Sequence, residues 1–434
     1  MRYDTAVYVI MTKKIAILSA TVLGLLVCFT LFSCIKPITD WGKTNTELLP
    51  VPCDFTFRMN EIECLRRGVN PFDVWHADVE LKPYYPNNRP DLCREGFTEP
   101  INAYAPWEYT LMMPLTFLPR KVAWIVYLAF MFGCLGVVVA AGYKMGKKLH
   151  GDVWEGVLAA TGPIVLSYYP IWSNFSVGNL IVPVIAALIG MAWCLNRGHD
   201  VSAGVCWTMA MVKPQAALLF AVPLLWRRKF LTCVTAAVLC LSLSIPPALM
   251  CKTSIVKLIF QTPAANAFLF VGCGTFPSCF CDGAGGTMDI AMGLAIGLIC
   301  CLVMTWMIRN VADWFLFIMP AAVVSMCWTY VQTYAHSFSY FAFAFWVLAL
   351  VLRPASRLLW WVGGVMILFA CRSYTCFHRI VAMWPASFPN LQYSDSTHYL
   401  LDSLNSTCCL LVIGLFCLEI WRRPNETFHS NTLL

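Results

Sequence analysis

Val122-Ala-Trp-Ile-Val-Tyr-Leu-Ala-Phe-Met-Phe-Gly-Cys-Leu-Gly-Val-Val-Val-Ala-Ala-Gly-Tyr143 carries no charged side chain, and Lys144, Lys147 and Lys148 follow it at once. A helix of that length crosses the roughly 30 Å hydrocarbon layer of a bilayer, and basic residues at its end mark the side retained in the cytoplasm. The rest of the chain repeats the pattern. Of 434 residues, 59% are hydrophobic and 12% charged, with a mean hydropathy of +0.67. Soluble domains hold about 25% charged and about 45–50% apolar residues, so lipid must cover the excess here. The net charge of +7 is spread as short clusters between apolar runs, which is how membrane topology is encoded and gives no reason to expect a nucleic-acid partner.

The basic groups fall at Lys13/Lys14, Lys144/Lys147/Lys148, Arg197, Arg227/Arg228/Lys229, Arg309, Arg353/Arg357 and Arg422/Arg423. If all face the cytoplasm, apolar segments must pass out and back between neighbours. Pairs fit near 15–33 with 121–143, 153–170 with 177–195, 230–250 with 288–308, 312–330 with 338–352, and 358–371 with 406–421. The stretch 201–226 is too short for two full spans, and Lys213-Pro214-Gln215 interrupts it. A helical hairpin turning at the proline keeps Arg197 and Arg227 on one side, with irregular backbone tolerated where protein surrounds it. The expected fold is an all-α polytopic membrane protein of about twelve spans. Residues 1–14 form a cytoplasmic N-terminus, 15–33 an uncleaved first helix, and 34–120 a long exterior loop. Residues 121–421 form the bundle, with exterior loops near 251–287 and 372–405, and 422–434 a cytoplasmic tail. The 15–33 run is longer than the apolar core of a signal peptide.

Most carboxylates sit in the 34–120 loop, Glu61, Asp73, Asp91 and Glu108 among them. The stretch Asp54-Phe-Thr-Phe-Arg58-Met-Asn-Glu61-Ile-Glu-Cys-Leu-Arg-Arg-Gly68 spaces its apolar residues as one face of a helix. Asp54 stands at the N-cap position and Gly68 at the C-terminal stop. Read plainly, this is an amphipathic helix on the membrane surface, with Arg58 one turn from Asp54 and placed to orient it, and Glu61 and Asp73 as surface charges. Lys213 stands out differently. A lone ammonium in an apolar run costs about 2.5–3.5 kcal/mol on insertion scales, so it faces a cavity, an anion or a hairpin tip.

The 22 cysteines divide between apolar runs, where they act as small hydrophobes, and exterior loops (Cys53, Cys64, Cys93, Cys273, Cys279, Cys281, Cys371, Cys376), where an oxidising compartment could pair some. Cys279 and Cys281 are spaced too tightly for ordinary zinc ligation. No Walker loop, His-Glu-x-x-His or Asp-x-Asp pattern occurs, and no metal or cofactor is expected.

Several blocks resemble glycosyltransferase family 87, the polyprenyl-phosphate-mannose-dependent mannosyltransferases of GT-C fold. The first is Asp54 soon after the first span, followed by a helix ending Gly68-Val-Asn70-Pro71-Phe72. The second is Tyr104-Ala-Pro106-Trp107 through Pro114 to Pro119, and the third Gly178-Asn179. The fourth is Met211-Val-Lys213-Pro214-Gln215 running to Trp226-Arg-Arg-Lys229. Asn179 stands where the family usually has Gln, and Ala105 replaces the first proline of a pair. The resemblance covers residues 50–230 best.

It implies a GT-C-type bundle that moves a sugar, mannose in the family, from a polyprenyl-phosphate donor to a glycolipid or glycan acceptor. Transfer inverts the anomeric carbon on the exterior face of an inner or plasma membrane. It assigns the general base to Asp54, the donor phosphate to Lys213 and His336, and substrate contacts to Tyr104, Trp107 and Asn179. The exterior basic group of Arg372, His378 and Arg379 is a further phosphate candidate by its charge, and Arg58 a further substrate contact by its place one turn from Asp54. Membrane lipid is the other expected partner. Alternatives from the same composition are a transporter or flippase, which predicts an internal repeat, and an envelope glycan polymerase or ligase, which predicts its largest exterior loop late in the chain.

Overall fold

In the computed structural model, the described residues are 13–14, 16–28, 53–68, 70–71, 104–150, 152–260, 287–326, 338–352 and parts of 410–421. All secondary structure among them is helical. In chain order, α1 is Ala16–Cys28, α2 Cys53–Arg66 and α3 Pro106–Met112, which runs into a 3-10 turn at Met113–Phe117. Then come α4 (Arg120–His150), α5 (Val153–Leu166), α6 (Tyr168–Val177), α7 (Ile181–Asn196) and α8 (Asp200–Ala210). The chain continues through α9 (Pro214–Ala217), a 3-10 turn at Leu218–Phe220, α10 (Ala221–Trp226), α11 (Phe230–Met250), α12 (Thr287–Met307), α13 (Trp314–Val324) and α14 (Ser339–Leu352).

Arg120–Lys148 and Phe230–Met250 are long and apolar enough to cross a membrane. A third crossing exists if Pro170–Val177 and Ile181–Asn196, bent by 118° at their break, make one span. At about 1.5 Å per residue, α11 is about 30 Å long, which is the hydrocarbon thickness itself. Many side chains on the outer faces of α4 and α11 are apolar and exposed, among them Val126, Phe130, Val137, Val234, Val238 and Leu241. An apolar exterior of this kind, on helices of bilayer length, suits contact with lipid.

Helices α4 and α5 form a hairpin held by close backbone approach. A Cβ on Gly146 would meet the Glu155 carbonyl oxygen at 2.5 Å, and one on Gly142 the Ala159 carbonyl oxygen at 2.7 Å. The spacing Gly142-x-x-x-Gly146 therefore presents a side-chain-free strip on which α5 lies, a common device where lipid gives helices no hydrophobic reason to associate. Asp152 caps α5 by accepting from the Trp154 amide at 2.7 Å.

The 201–226 segment folds back on itself. The Trp207 indole donates to the Ala217 carbonyl at 3.0 Å, a contact ten residues apart that a continuous helix could not make. The two ends of the segment also meet: Lys229 pairs with Asp200 at 2.8 Å. Arg227 donates to the carbonyls of Val311 and Ala312, and Asn196 donates to Asp313 at 2.9 Å. Three of the basic turns predicted to lie together, near 197, 227 and 309, thus share one end of the bundle. Helix α11 starts at that end and carries the chain to the opposite one, where Met250 abuts the turn at Gly68.

Candidate functional site

Helix α2 is not a surface helix. Phe55, Met59, Ile62 and Leu65 are buried, and Phe55 packs against Trp124 and Tyr127 of α4 with ring centroids 5.3 and 5.1 Å apart. This aromatic seat fixes the rotation of α2, and the rotation sends Arg58 and Glu61 inward as well, both 0% exposed. The expectation that Glu61 is a surface charge therefore fails; the apolar contacts on both sides of it decide its direction. Asp54 is also displaced from expectation, since the helix starts at Cys53 and puts Asp54 in the first turn rather than at the cap. Gly68 does end the helix, with φ +77°.

Helix α3 supplies the facing wall. Successive helical residues point about 100° apart, so four neighbours on α3 reach three different elements. The Trp107 indole donates to the Met211 carbonyl at 2.8 Å, on the α8–α9 turn. Glu108 faces Arg58 of α2, and Tyr109 lies against Glu61. Thr110 donates to the Leu243 carbonyl of α11 at 2.5 Å. Pro106 at the first helical position starts α3 without losing a needed donor.

The third wall is the break between α6 and α7. Gly178 has φ +76°, a conformation that glycine adopts without a Cβ clash. That turn aims its carbonyl at α2, where it accepts from Arg58 Nη1 at 2.8 Å and from the Tyr127 hydroxyl at 3.0 Å. Asn179 follows, and its Nδ2 donates to Asp54 Oδ2 at 2.7 Å.

Arg58 lies at the centre. Besides Gly178 it donates to the Tyr104 hydroxyl at 3.0 Å and to the Tyr127 hydroxyl at 3.3 Å. Its Nε stands 2.9 Å from a Glu108 carboxylate oxygen, an ion pair at an angle too poor for a hydrogen bond. Burial works against its charge, but Tyr104, Tyr127, Glu108 and Asp54 outweigh it and hold Arg58 cationic. Burial pushes the Glu108 carboxyl up to about 7, against the pull of Arg58 and Lys213. Burial, then the neighbouring Glu108 charge, also drives Glu61 well above the usual carboxylate range, and burial raises the phenols of Tyr104 and Tyr109.

Lys213 closes the site from the α8–α9 turn. It is 2% exposed, with Nζ 5.7 Å from the centre of the Tyr104 ring. It is thus no exposed hairpin tip. The structure brings together Asp54, Arg58, Tyr104, Trp107, Asn179 and Lys213 of the residues read from sequence. Trp107 contributes through its bond to Met211, which fixes the turn that bears Lys213. His336, Arg372, His378 and Arg379 lie outside the described residues, as does Asp73.

Three participants escaped sequence reasoning: Glu108, Tyr127 and the Gly178 carbonyl. Glu108 had a signal, being the one charge between Tyr104 and Pro119, the same argument that singles out Lys213. Tyr127 inside an apolar span and a backbone carbonyl had none. No group of three or more His, Cys, Asp or Glu side chains among the described residues could hold a metal. Among the site's carboxylates, Glu61 and Glu108 are fully buried while Asp54 is partly exposed. Asp54 is therefore the acid that an external hydroxyl can reach.

Residues 102–267 match the model of Glycosyltransferase family 87. Neither a curated protein nor a solved structure matches the chain. The matched segment holds Tyr104, Glu108, Tyr127, Gly178, Asn179 and Lys213, whereas Asp54 and Arg58 come from before it. The family indicates a glycosyltransferase, and the apolar helices a membrane one.

Proposed function

From the match of residues 102–267 to glycosyltransferase family 87, we propose that this protein transfers a sugar, mannose in the first instance, from a polyprenyl-phosphate donor to a glycolipid or glycan acceptor. Transfer inverts the anomeric carbon, on the non-cytoplasmic face of an inner or plasma membrane. The twelve-span GT-C-type bundle belongs to the same proposal. Asp54 is the general base, taking the proton of the acceptor hydroxyl as that oxygen attacks the anomeric carbon and the bond to the lipid phosphate breaks. Lys213 offers its ammonium to the departing phosphate, joined by His336 from the turn between the 312–330 and 338–352 spans and by Arg372 and Arg379 from the third exterior loop.

The observation that carries this reading is the setting of Asp54. It is a partly exposed carboxylate, oriented by the Asn179 amide at 2.7 Å, one helical turn before the buried Arg58 and close enough to the buried Lys213 to act on its charge. A base for acceptor attack needs that combination: access, a fixed direction, and positive groups nearby for the leaving anion. A polyprenyl tail stays in lipid, which suits a cation placed on a hairpin turn inside the bundle.

Asp54→Asn tests the reading. The amide keeps the size of the side chain, so folding should persist while transfer from labelled polyprenyl-phosphate sugar falls about 10²–10⁴-fold. Near-normal turnover would assign Asp54 to helix structure alone.

A further inference from the structure

Glu108 is an acid of this site with no assigned task, and the one that pairs with Arg58. It cannot meet an acceptor, being 0% exposed, and it sits under Arg58 rather than beside Asp54. Its ion-pair partner, Arg58, is also the one side chain of α2 among the described residues that bonds the Gly178 carbonyl. The next residue, Asn179, grips Asp54. A chain of contacts thus runs from α3 through α2 to the α6–α7 break and returns to α2 at the reacting carboxylate.

We infer that Glu108 is a positioning residue for sugar transfer: its charge holds the Arg58 guanidinium, which pins the Gly178–Asn179 break and so sets where Asn179 holds Asp54. The inference rests on the proposed role of Asp54 as base. The physical reason is the number of partners that Arg58 must keep at once. Its fork spans the Gly178 carbonyl and the hydroxyls of Tyr104 and Tyr127, all neutral acceptors that leave the cation's charge unbalanced. A buried guanidinium without a counter-charge is costly, so it would swing to another anion or draw in water. Asp54 and Glu61 are the other anions acting on this group of residues, and Lys213 competes with Arg58 for Glu108. If Glu108 is neutralised, Arg58 is drawn toward Asp54, and the 2.8 Å bond to Gly178 loosens.

Glu108→Gln keeps the shape and removes the charge. With the full-length protein in detergent, kcat for transfer should fall about ten- to a hundredfold, the range a misplacement of about 1 Å produces. Donor KM should stay within about twofold, because Lys213, which meets the donor phosphate, keeps its charge and its place on the α8–α9 turn. Glu108→Asp, which retains the charge, should recover most of kcat. The decisive comparison uses Asn179→Ala, which cuts the last link while leaving the base in place. Asn179→Ala alone should slow kcat by a similar factor, and Glu108→Gln should then add nothing. If Glu108→Gln slows both backgrounds equally, leaves kcat unchanged, moves KM instead, or is not recovered by Glu108→Asp, the inference is overturned. Should Glu108→Gln not yield a monodisperse protein, Arg58→Lys replaces it, since it keeps the cation but loses the fork. It should slow kcat in the parent and add nothing in Asn179→Ala, and equal slowing in both backgrounds overturns the inference. Failure of the base reading shows separately, as normal turnover in Asp54→Asn.

Discussion

Lys213 shows how far one side chain's cost can be followed. Its ammonium sits in an apolar segment and is nearly inaccessible, yet Glu108 and Asp54 face it across the pocket. Lys213→Met fills the same space and removes the insertion cost of about 2.5–3.5 kcal/mol. It also strips one counter-charge from Glu108, which keeps Arg58 as its ion-pair partner at 2.9 Å. The variant should therefore unfold within a few degrees of the parent, while donor affinity weakens about ten- to a hundredfold through loss of one charged hydrogen bond. Thermal unfolding and binding of a labelled polyprenyl-phosphate sugar measure the two effects. Unchanged affinity would move the phosphate site to Arg372, His378 and Arg379. Glu61 and Glu108 also show the limit of reading single residues. Both were carboxylates of a polar loop by composition, and both are buried because aromatic neighbours on short helices turned them inward.

The α4–α5 hairpin is the clearest case at the scale of elements. Gly142 and Gly146 give α4 a bare strip, and α5 approaches until a Cβ on Gly146 would lie 2.7 Å from the Cα of Gly156 and from the Cβ of Ala159. Backbone atoms on a capped helix cannot move aside locally, so Gly146→Leu forces the hairpin apart. We expect a loss of about 1–3 kcal/mol, the usual range for overpacking, read as a lower unfolding temperature and aggregation on size exclusion. A variant as stable as the parent would mean that the two helices do not meet along this strip. The same reasoning links elements to the site. Tyr127, on α4, seats Phe55 and bonds Gly178, so a shift of α4 would reach Arg58 and Asn179.

At the scale of the molecule, the basic turns and the pocket lie toward opposite ends. Lys229 begins α11 beside Asp200 and Arg227, and about 30 Å later Met250 abuts Gly68 at the end of α2. Thr110, on the wall of the site, bonds Leu243, two-thirds of the way along α11. If the basic end is cytoplasmic, as the charge bias directs, the pocket opens outward and the 34–120 region is exterior. A single cysteine in place of Asp91, with the native exterior cysteines removed, should react with an impermeant maleimide in intact cells. Labelling only after the membrane is broken would invert the topology and the face on which transfer occurs.

The sequence by itself determined the membrane class, the position of most apolar helices among the described residues, the hairpin at Lys213-Pro214 and the candidacy of Asp54, Asn179 and Lys213 for one site. These follow from local facts: unbroken apolar length, a proline that cannot continue a helix, a lone charge among apolar neighbours, and short blocks that resemble a known family. The tertiary structure alone decided that Arg58 reaches past its helix to Gly178, that Glu61 and Glu108 are interior, and that Tyr127 belongs to the pocket. Those facts depend on the rotation of α2 against α4 and on a 118° bend at the α6–α7 break. Rotation and bend arise from contacts between residues as many as 125 positions apart, as between Asp54 and Asn179, which no local periodicity encodes.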